Sequence, residues 1–95
     1  MPFMVYPATA VRFTGSAAQF TSRSARGGAA VRNFCRTCGG LVFGGIVGAD
    51  ESHTVYAGSL DDASAFEPKI AIFNRDRPDW TVLPGGLVVF ETMPD

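Results

Sequence analysis

The sequence has only two cysteines, one histidine, one tryptophan and a single lysine in 95 residues, and no acidic residue before Asp50. Each scarcity excludes something. Two cysteines do not fill a four-thiolate zinc site, and in a reducing cytoplasm a stable structural disulfide is the least expected state for them. The paired glycines Gly39-Gly40 and Gly44-Gly45 are not a phosphate loop, because that motif needs a lysine followed by Ser or Thr at the opening of a helix and the only lysine is Lys69. No apolar run is long enough to span a bilayer, and Met1 to Pro7 has neither the basic region nor the long apolar core of an export signal. A cytoplasmic protein with no membrane partner is expected.

The late arrival of acids makes the charge lopsided. Residues 1–49 carry Arg12, Arg23, Arg26, Arg32 and Arg36, a net +5, whereas residues 50–95 carry nine acids against Lys69, Arg75 and Arg77, a net −6. Such a split suits complementary packing within the fold or across a dimer, or a basic face for a small anion. It does not suit nucleic acid: the arginines are spread out, the isoelectric point is about 5.7, and no nucleic-acid-reading module is present.

With 46% hydrophobic residues, eight phenylalanines and 18% charged residues, the chain has the composition of a folded globular protein. Its length predicts one domain over residues 1–95 with a modest core that a metal or a partner chain would reinforce. Apolar and polar residues alternate over Ala10-Val11-Arg12-Phe13-Thr14, again over Gln19 to Ser24, and again over Ala30 to Phe34, with Gly15 and Gly27-Gly28 as punctuation. Leu41-Val42-Phe43, Thr54 to Gly58, Lys69 to Phe73 and Leu87 to Phe90 read as further short strands between glycine and proline turns. Ser59 to Ser64 has room for one helical turn before Pro68, and nothing supports a long helix. The fold class predicted is all-β, with antiparallel sheets of about seven short strands.

The chemistry gathers at Phe34-Cys35-Arg36-Thr37-Cys38-Gly39-Gly40. A Cys-x-x-Cys turn points both sulfurs into one hole, and the glycine after it lets backbone amides approach the thiolates, so Cys35 and Cys38 read as half of a zinc knuckle. Two alternatives stay open on the residues alone. A redox pair requires a thiol of lowered pKa, often at a helix N-terminus, and this glycine-flanked, strand-bounded turn resembles a zinc knuckle more than a redox motif. Two copies of the turn, brought together in a two-fold dimer, would supply four thiolates to one zinc.

From Phe34 onward the chain resembles the C-terminal half of the glutathione-dependent formaldehyde-activating enzymes. The resemblance runs through Phe34-Cys35-Arg36-Thr37-Cys38-Gly39, Ala57-Gly58-Ser59-Leu60-Asp61-Asp62, Pro68 to Phe73, Pro78-Asp79-Trp80, Gly86-Leu87 and Phe90-Glu91, in the family's order and spacing. Residues 1–33 resemble the preceding strands more weakly. The resemblance implies a tent-like antiparallel β fold and a structural zinc held by four cysteines, of which Cys35 and Cys38 match the second pair. It also implies a zinc-dependent carbon–sulfur lyase that joins glutathione to formaldehyde as S-hydroxymethylglutathione. The family's first cysteine pair and its Cys-x-Cys-x-x-Cys cluster have no counterpart here, and Ala71 stands where the family often has histidine. The sequence thus resembles a member without its N-terminal third, with no catalytic residue assignable, and the competing reading is a non-catalytic remnant or small β interaction module whose knuckle is structural or vacant.

The remaining candidates are weaker. Arg36 sits inside the knuckle, where it either meets an anionic ligand such as glutathione or compensates thiolate charge. His53, alone in the polar stretch Asp50-Glu51-Ser52-His53, is expected at the surface rather than on a metal, and Trp80 is expected to plug an open sheet end. One carboxylate of Asp61-Asp62 is expected to cap a turn rather than do acid–base work. A homo-oligomer is expected, because an uncovered strand edge rarely stays free.

Overall fold

The structure, a computed structural model, describes residues 1–94 and divides into two compact units, residues 1–64 and the residues from 65 onward. In the first unit, strands β1 (Phe3–Pro7), β2 (Ala18–Arg23), β3 (Ala29–Phe34), β4 (Leu41–Gly44) and β5 (Ser52–Tyr56) form one sheet in the order β1-β5-β4-β3-β2. Every pairing within it is antiparallel. The strands from β2 to β5 succeed one another as a meander, joined by a hairpin turn after Arg23, the cysteine turn after Phe34, and a loop closed by Asp50, whose carboxylate accepts from the Ile46 amide at 2.6 Å. Only β1 is out of sequence. It returns to pair with β5 on the far edge, in register from Phe3 opposite Tyr56 to Pro7 opposite Ser52.

That excursion explains the main departure from the sequence pattern. The alternation over Ala10 to Thr14 predicts a strand, but only Ala8–Ala10 is regular, as a short 3-10 turn, and residues 11–17 run without a strand partner. The stretch is the link between the two edge strands. It lays Phe13 on Phe43, with ring centroids 4.3 Å apart, and edge-on to His53 at 5.3 Å. The alternation is therefore a covering segment whose inward side chains meet the sheet face instead of a ladder. Conversely, β1 contains Pro7 and begins beside Pro2, and lacks the clean polar alternation that marks the other strands.

The covered face is small and unusually polar. Val31, Phe43 and Ala57 are its buried apolar residues, while the two most deeply buried side chains are Asn33 and His53, 1% and 2% exposed. His53 departs from the expected surface position because it is already in β5, opposite Tyr6, with the parity that turns it inward. Its Nδ1 lies 3.1 Å from the Gly44 carbonyl oxygen, a hydrogen bond for the tautomer protonated there, and its ring stands edge-on to Phe43. A buried imidazole so held needs no ligand role to account for it.

In the second unit, β6 (Ile70–Ala71) and β7 (Val88–Val89) form a two-stranded pair that is parallel, the exception to the antiparallel expectation. Main-chain bonds from Val88 to Lys69 and from Phe90 to Ala71 begin it, and bonds from Phe73, Asn74 and Arg75 to residues 90–92 extend it into a 3-10 turn at Asn74–Asp76. Trp80 is 82% exposed rather than a plug. The cause is local: Thr81 donates to the Pro78 carbonyl and Arg77 reaches the Thr81 carbonyl, closing a tight turn that holds Trp80 on its outside. Three-residue 3-10 turns are the longest helical pieces among the described residues.

The packing between β4 and β5 yields a differential test. Gly45 and Gly48 both have positive φ, +104° and +86°, so an alanine is strained at either. Only at Gly45 does a Cβ also collide, 2.7 Å from His53 Nδ1 and 3.2 Å from Asp50 Oδ2. Gly48→Ala should cost about 1 kcal/mol of stability, and Gly45→Ala about 1–3 kcal/mol more. Chemical denaturation of both variants checks this, and equal losses would mean that His53 is not where it is described.

Candidate functional site

The site begins at a register break. β3 and β4 pair from Arg32 opposite Gly44 to Asn33 opposite Phe43, and the next pair is Phe34 opposite Leu41, so the ladder slips between Asn33 and Phe34. Such a bulge bends a strand and re-aims the residues after it. Here those residues are the cysteine turn. Cys35 donates its amide to the Gly40 carbonyl at 2.9 Å and accepts the Gly39 amide on its own carbonyl at 2.8 Å, a closure that requires the left-handed backbone of Gly39 (φ +78°).

The break is pinned by Asn33. Its Nδ2 donates to the Phe43 carbonyl at 3.1 Å and to the Gly45 carbonyl at 2.9 Å, and its Oδ1 accepts from Gln19 Nε2 at 3.1 Å. One buried carboxamide thus ties β2, β3 and β4 together next to the cysteines. Nothing in the sequence pattern singles Asn33 out except its parity with Val31, which puts both on the covered face.

Within the turn the Thr37 amide lies 3.4 Å from Cys35 Sγ, and the Gly40 amide 3.4 Å from Cys38 Sγ. Amides aimed at sulfur are the feature anticipated from the glycines, and they favour thiolate over thiol. The Cys38 amide, then that of Thr37, with the Cys38 side chain adding to them, lower the Cys35 pKa below the ordinary thiol value. Cys35 is half-buried and Cys38 exposed, and both are free of disulfide. Arg36, between them, is exposed and donates one guanidinium N–H to the Ala17 carbonyl at 3.3 Å.

Beside the turn lies an open groove of about 720 Å³, within the range of small-ligand sites. Phe13, Phe34, Val42 and Val47 give it apolar walls, Gln19, Cys35 and Arg36 are among its polar lining residues, and the buried Asn33 lies behind them. The sequence picks out Cys35 and Arg36 here. It does not pick out Phe13, Gln19 or Val47, which come from the β1–β2 link, an edge strand and the β4–β5 loop. Asp62 lies elsewhere and behaves as a turn cap: its carboxylate accepts the Ser64 hydroxyl and amide, which hold its pKa below the usual carboxylate value.

A zinc ion does not fit the donors that one chain supplies. Structural zinc takes four ligands, and among the described residues no group of three or more His, Cys, Asp or Glu side chains is placed to hold a metal. Cys35 and Cys38 are a pair without a second pair, and His53 is spent on the Gly44 carbonyl.

The sequence profile of the glutathione-dependent formaldehyde-activating enzymes matches residues 1–76. The chain belongs to that family. The match takes in β1 through β6 and the cysteine turn, so it includes the residues before Phe34 whose likeness is weaker by eye, and it ends before Pro78-Asp79-Trp80 and Phe90-Glu91. No curated protein and no solved structure matches the chain. Membership connects the protein in general terms with glutathione and formaldehyde activation, in a family associated with zinc. Among the described residues no helix is long and apolar enough to cross a membrane.

The pKa direction at Cys35 gives a pH prediction. A lowered pKa leaves more thiolate at a given pH, so the rate of Cys35 alkylation by iodoacetamide, monitored in Cys38→Ser with chelator present, should reach its half-maximum at a lower pH in the folded protein than in urea. Coincident profiles would mean that the turn's amides do not act on the sulfur.

Proposed function

We propose that the groove beside the cysteine turn binds glutathione, and that this chain is the thiol-binding part of a zinc-dependent carbon–sulfur lyase which does not complete the reaction alone. The observation that carries the reading is the convergence of Cys35 and Arg36 on one groove of ligand size with apolar walls. Glutathione offers two carboxylates, peptide groups and a thiol. A guanidinium matches a carboxylate with paired N–H donors, and Arg36 has donors left after its single bond to Ala17. The Gln19 side chain, also in the lining, suits a peptide group.

In the family reaction the glutathione sulfur adds to the formaldehyde carbon. A C–S bond forms, the carbonyl π bond breaks, and the thiol's proton ends on the new hydroxyl. A zinc held by Cys35, Cys38 and donors from outside this chain would favour the thiolate and polarise the aldehyde. This chain's residues contribute binding and orientation: Arg36 fixes a carboxylate, the apolar walls exclude water from one side, and Asn33 keeps the turn in place. They contribute half of a tetrahedral metal site. Full-strength zinc binding then needs a second copy, with four thiolates from two turns, or donors from another polypeptide, and a homo-oligomer is the simpler arrangement. A reducing cytoplasm is the setting in which both thiols stay free for either use.

Titration with reduced glutathione under chelator, monitored by amide NMR, should shift residues of the groove, and Arg36→Gln should weaken binding by about tenfold, the loss of one charge-assisted contact. The chain alone should leave S-hydroxymethylglutathione formation at its spontaneous rate. No shifts in the groove would leave the small β interaction module as the better reading. A zinc-dependent rate abolished by Cys35→Ser would overturn the claim of incompleteness.

A further inference from the structure

We propose that the outer edge of β2 is a docking strand for an extended acidic peptide, which would add to the sheet as a sixth strand. β2 is terminal in the five-stranded sheet, and among the described residues no strand pairs with its outer side. The hairpin decides which groups are offered. Ser24 donates to the Gly28 carbonyl at 2.7 Å, and the register continues Arg23 opposite Ala29, Ser22 opposite Ala30, and so on to Ala18 opposite Phe34. In an antiparallel ladder hydrogen-bonded pairs alternate, so Ser22, Phe20 and Ala18 turn their main-chain groups toward β3. Gln19, Thr21 and Arg23 turn theirs outward, a row of donors and acceptors of the kind that recruits another strand.

The two edges of the sheet are not alike. β1 ends in Pro7, comes directly after Pro2, and is tied down by bonds from Ala8 to Glu51 and from Ala57 to Pro2. β2 has no proline and no bulge, and its side chains are mostly exposed, with Phe20 61% exposed on the same face as Arg32 opposite it. None of the usual blunting devices is present along its central residues.

Charge selects the occupant. Exposed arginines surround the edge: Arg36 fixed on the Ala17 carbonyl before the strand, Arg32 fixed on Ser22 Oγ at 3.0 Å beside its middle, and Arg23 at its end. No acidic residue precedes Asp50, so β1 to β4 carry none. Acids begin in the loop into β5, where the Asp50 carboxylate is held by the Ile46 amide, and none lies on β2, on β3 or in the hairpin between them. A second copy docked edge to edge would bring two such arginine sets together with no acid between them. An acidic strand meets them with opposite charge, and apolar residues at alternate positions would cover Phe20.

The test uses the whole chain and a fluorescent peptide alternating glutamate and valine, matched in length to β2, with lysine–valine and glutamine–valine peptides as controls. The glutamate peptide should bind at least about tenfold more tightly than either control, with affinity falling as salt rises, and should shift the amides of Gln19, Thr21 and Arg23. Thr21→Pro removes an outward N–H and no ladder bond, so it should abolish binding while leaving the circular dichroism spectrum unchanged. Should Thr21→Pro unfold, a glutamate peptide N-methylated along its pairing edge, tested on the unaltered chain, should fail to bind. Equal binding of the three peptides, or binding that survives the proline and the N-methylation, would overturn the proposal. So would concentration-dependent dimerisation of the chain that Thr21→Pro abolishes, since that would assign the edge to a second copy.

Discussion

The carboxamide of Asn33 is the contact on which the rest of the first unit depends. From β3 it bonds to the Gln19 side chain on β2 and to two carbonyls, of Phe43 in β4 and of Gly45 just after it, at the residue where the strand register slips. Few apolar side chains are fully buried, and in so thin a core a satisfied polar network does what packing does elsewhere: it selects one arrangement. Remove the carboxamide and two buried carbonyls lose a donor, at a cost of order 1–3 kcal/mol each. That is a large share of the stability of a domain this size.

The network also shapes the candidate site. Because the slip comes immediately after Asn33, the chain leaves the sheet after Phe34 as a tight turn whose first residue is Cys35, and the sulfurs sit where backbone amides reach them. The lowered thiol pKa at Cys35, the position of Arg36 against Ala17, and the groove between them all descend from that geometry. Asn33 and Gln19 belong to the lining of the groove as well as to the strand junction. The donor set limits the chemistry: the chain offers two sulfurs, and four are needed for a closed structural zinc.

Much of this is legible in the sequence, and the remainder is not for identifiable reasons. The alternation over Gln19 to Ser24 and Ala30 to Phe34, the glycine-bounded Leu41 to Phe43, and the Cys-x-x-Cys turn correspond closely to β2, β3, β4 and the bend. Residues 10–14 mislead because alternation reports one covered face and is silent on whether the other partner is a strand. The polarity of its neighbours points His53 to the surface, although a strand beginning at Ser52 buries the second residue whatever precedes it. Size alone points Trp80 to a core, and the turn closed by Thr81 decides otherwise. The parallel pairing of β6 and β7 leaves no mark on strands of two residues. Asn33 illustrates the general limit: a buried polar residue is recognised by what it bonds to, and its partners are ten to fourteen positions away.

The central claim is that a buried Asn33 side chain locks the bend that presents the cysteines, and hydrogen exchange of its own Nδ2 protons tests it most directly. In a uniformly nitrogen-labelled sample, with Asn33→Gln used to assign the resonance, those protons should exchange far more slowly than the side-chain amide of Asn74, whose one oxygen partner is the exposed carboxylate of Glu91. They should be lost only in step with the main-chain amides of β3 and β4. Exchange as fast as that of Asn74 would contradict the account, since a carboxamide open to water cannot be what holds the register break.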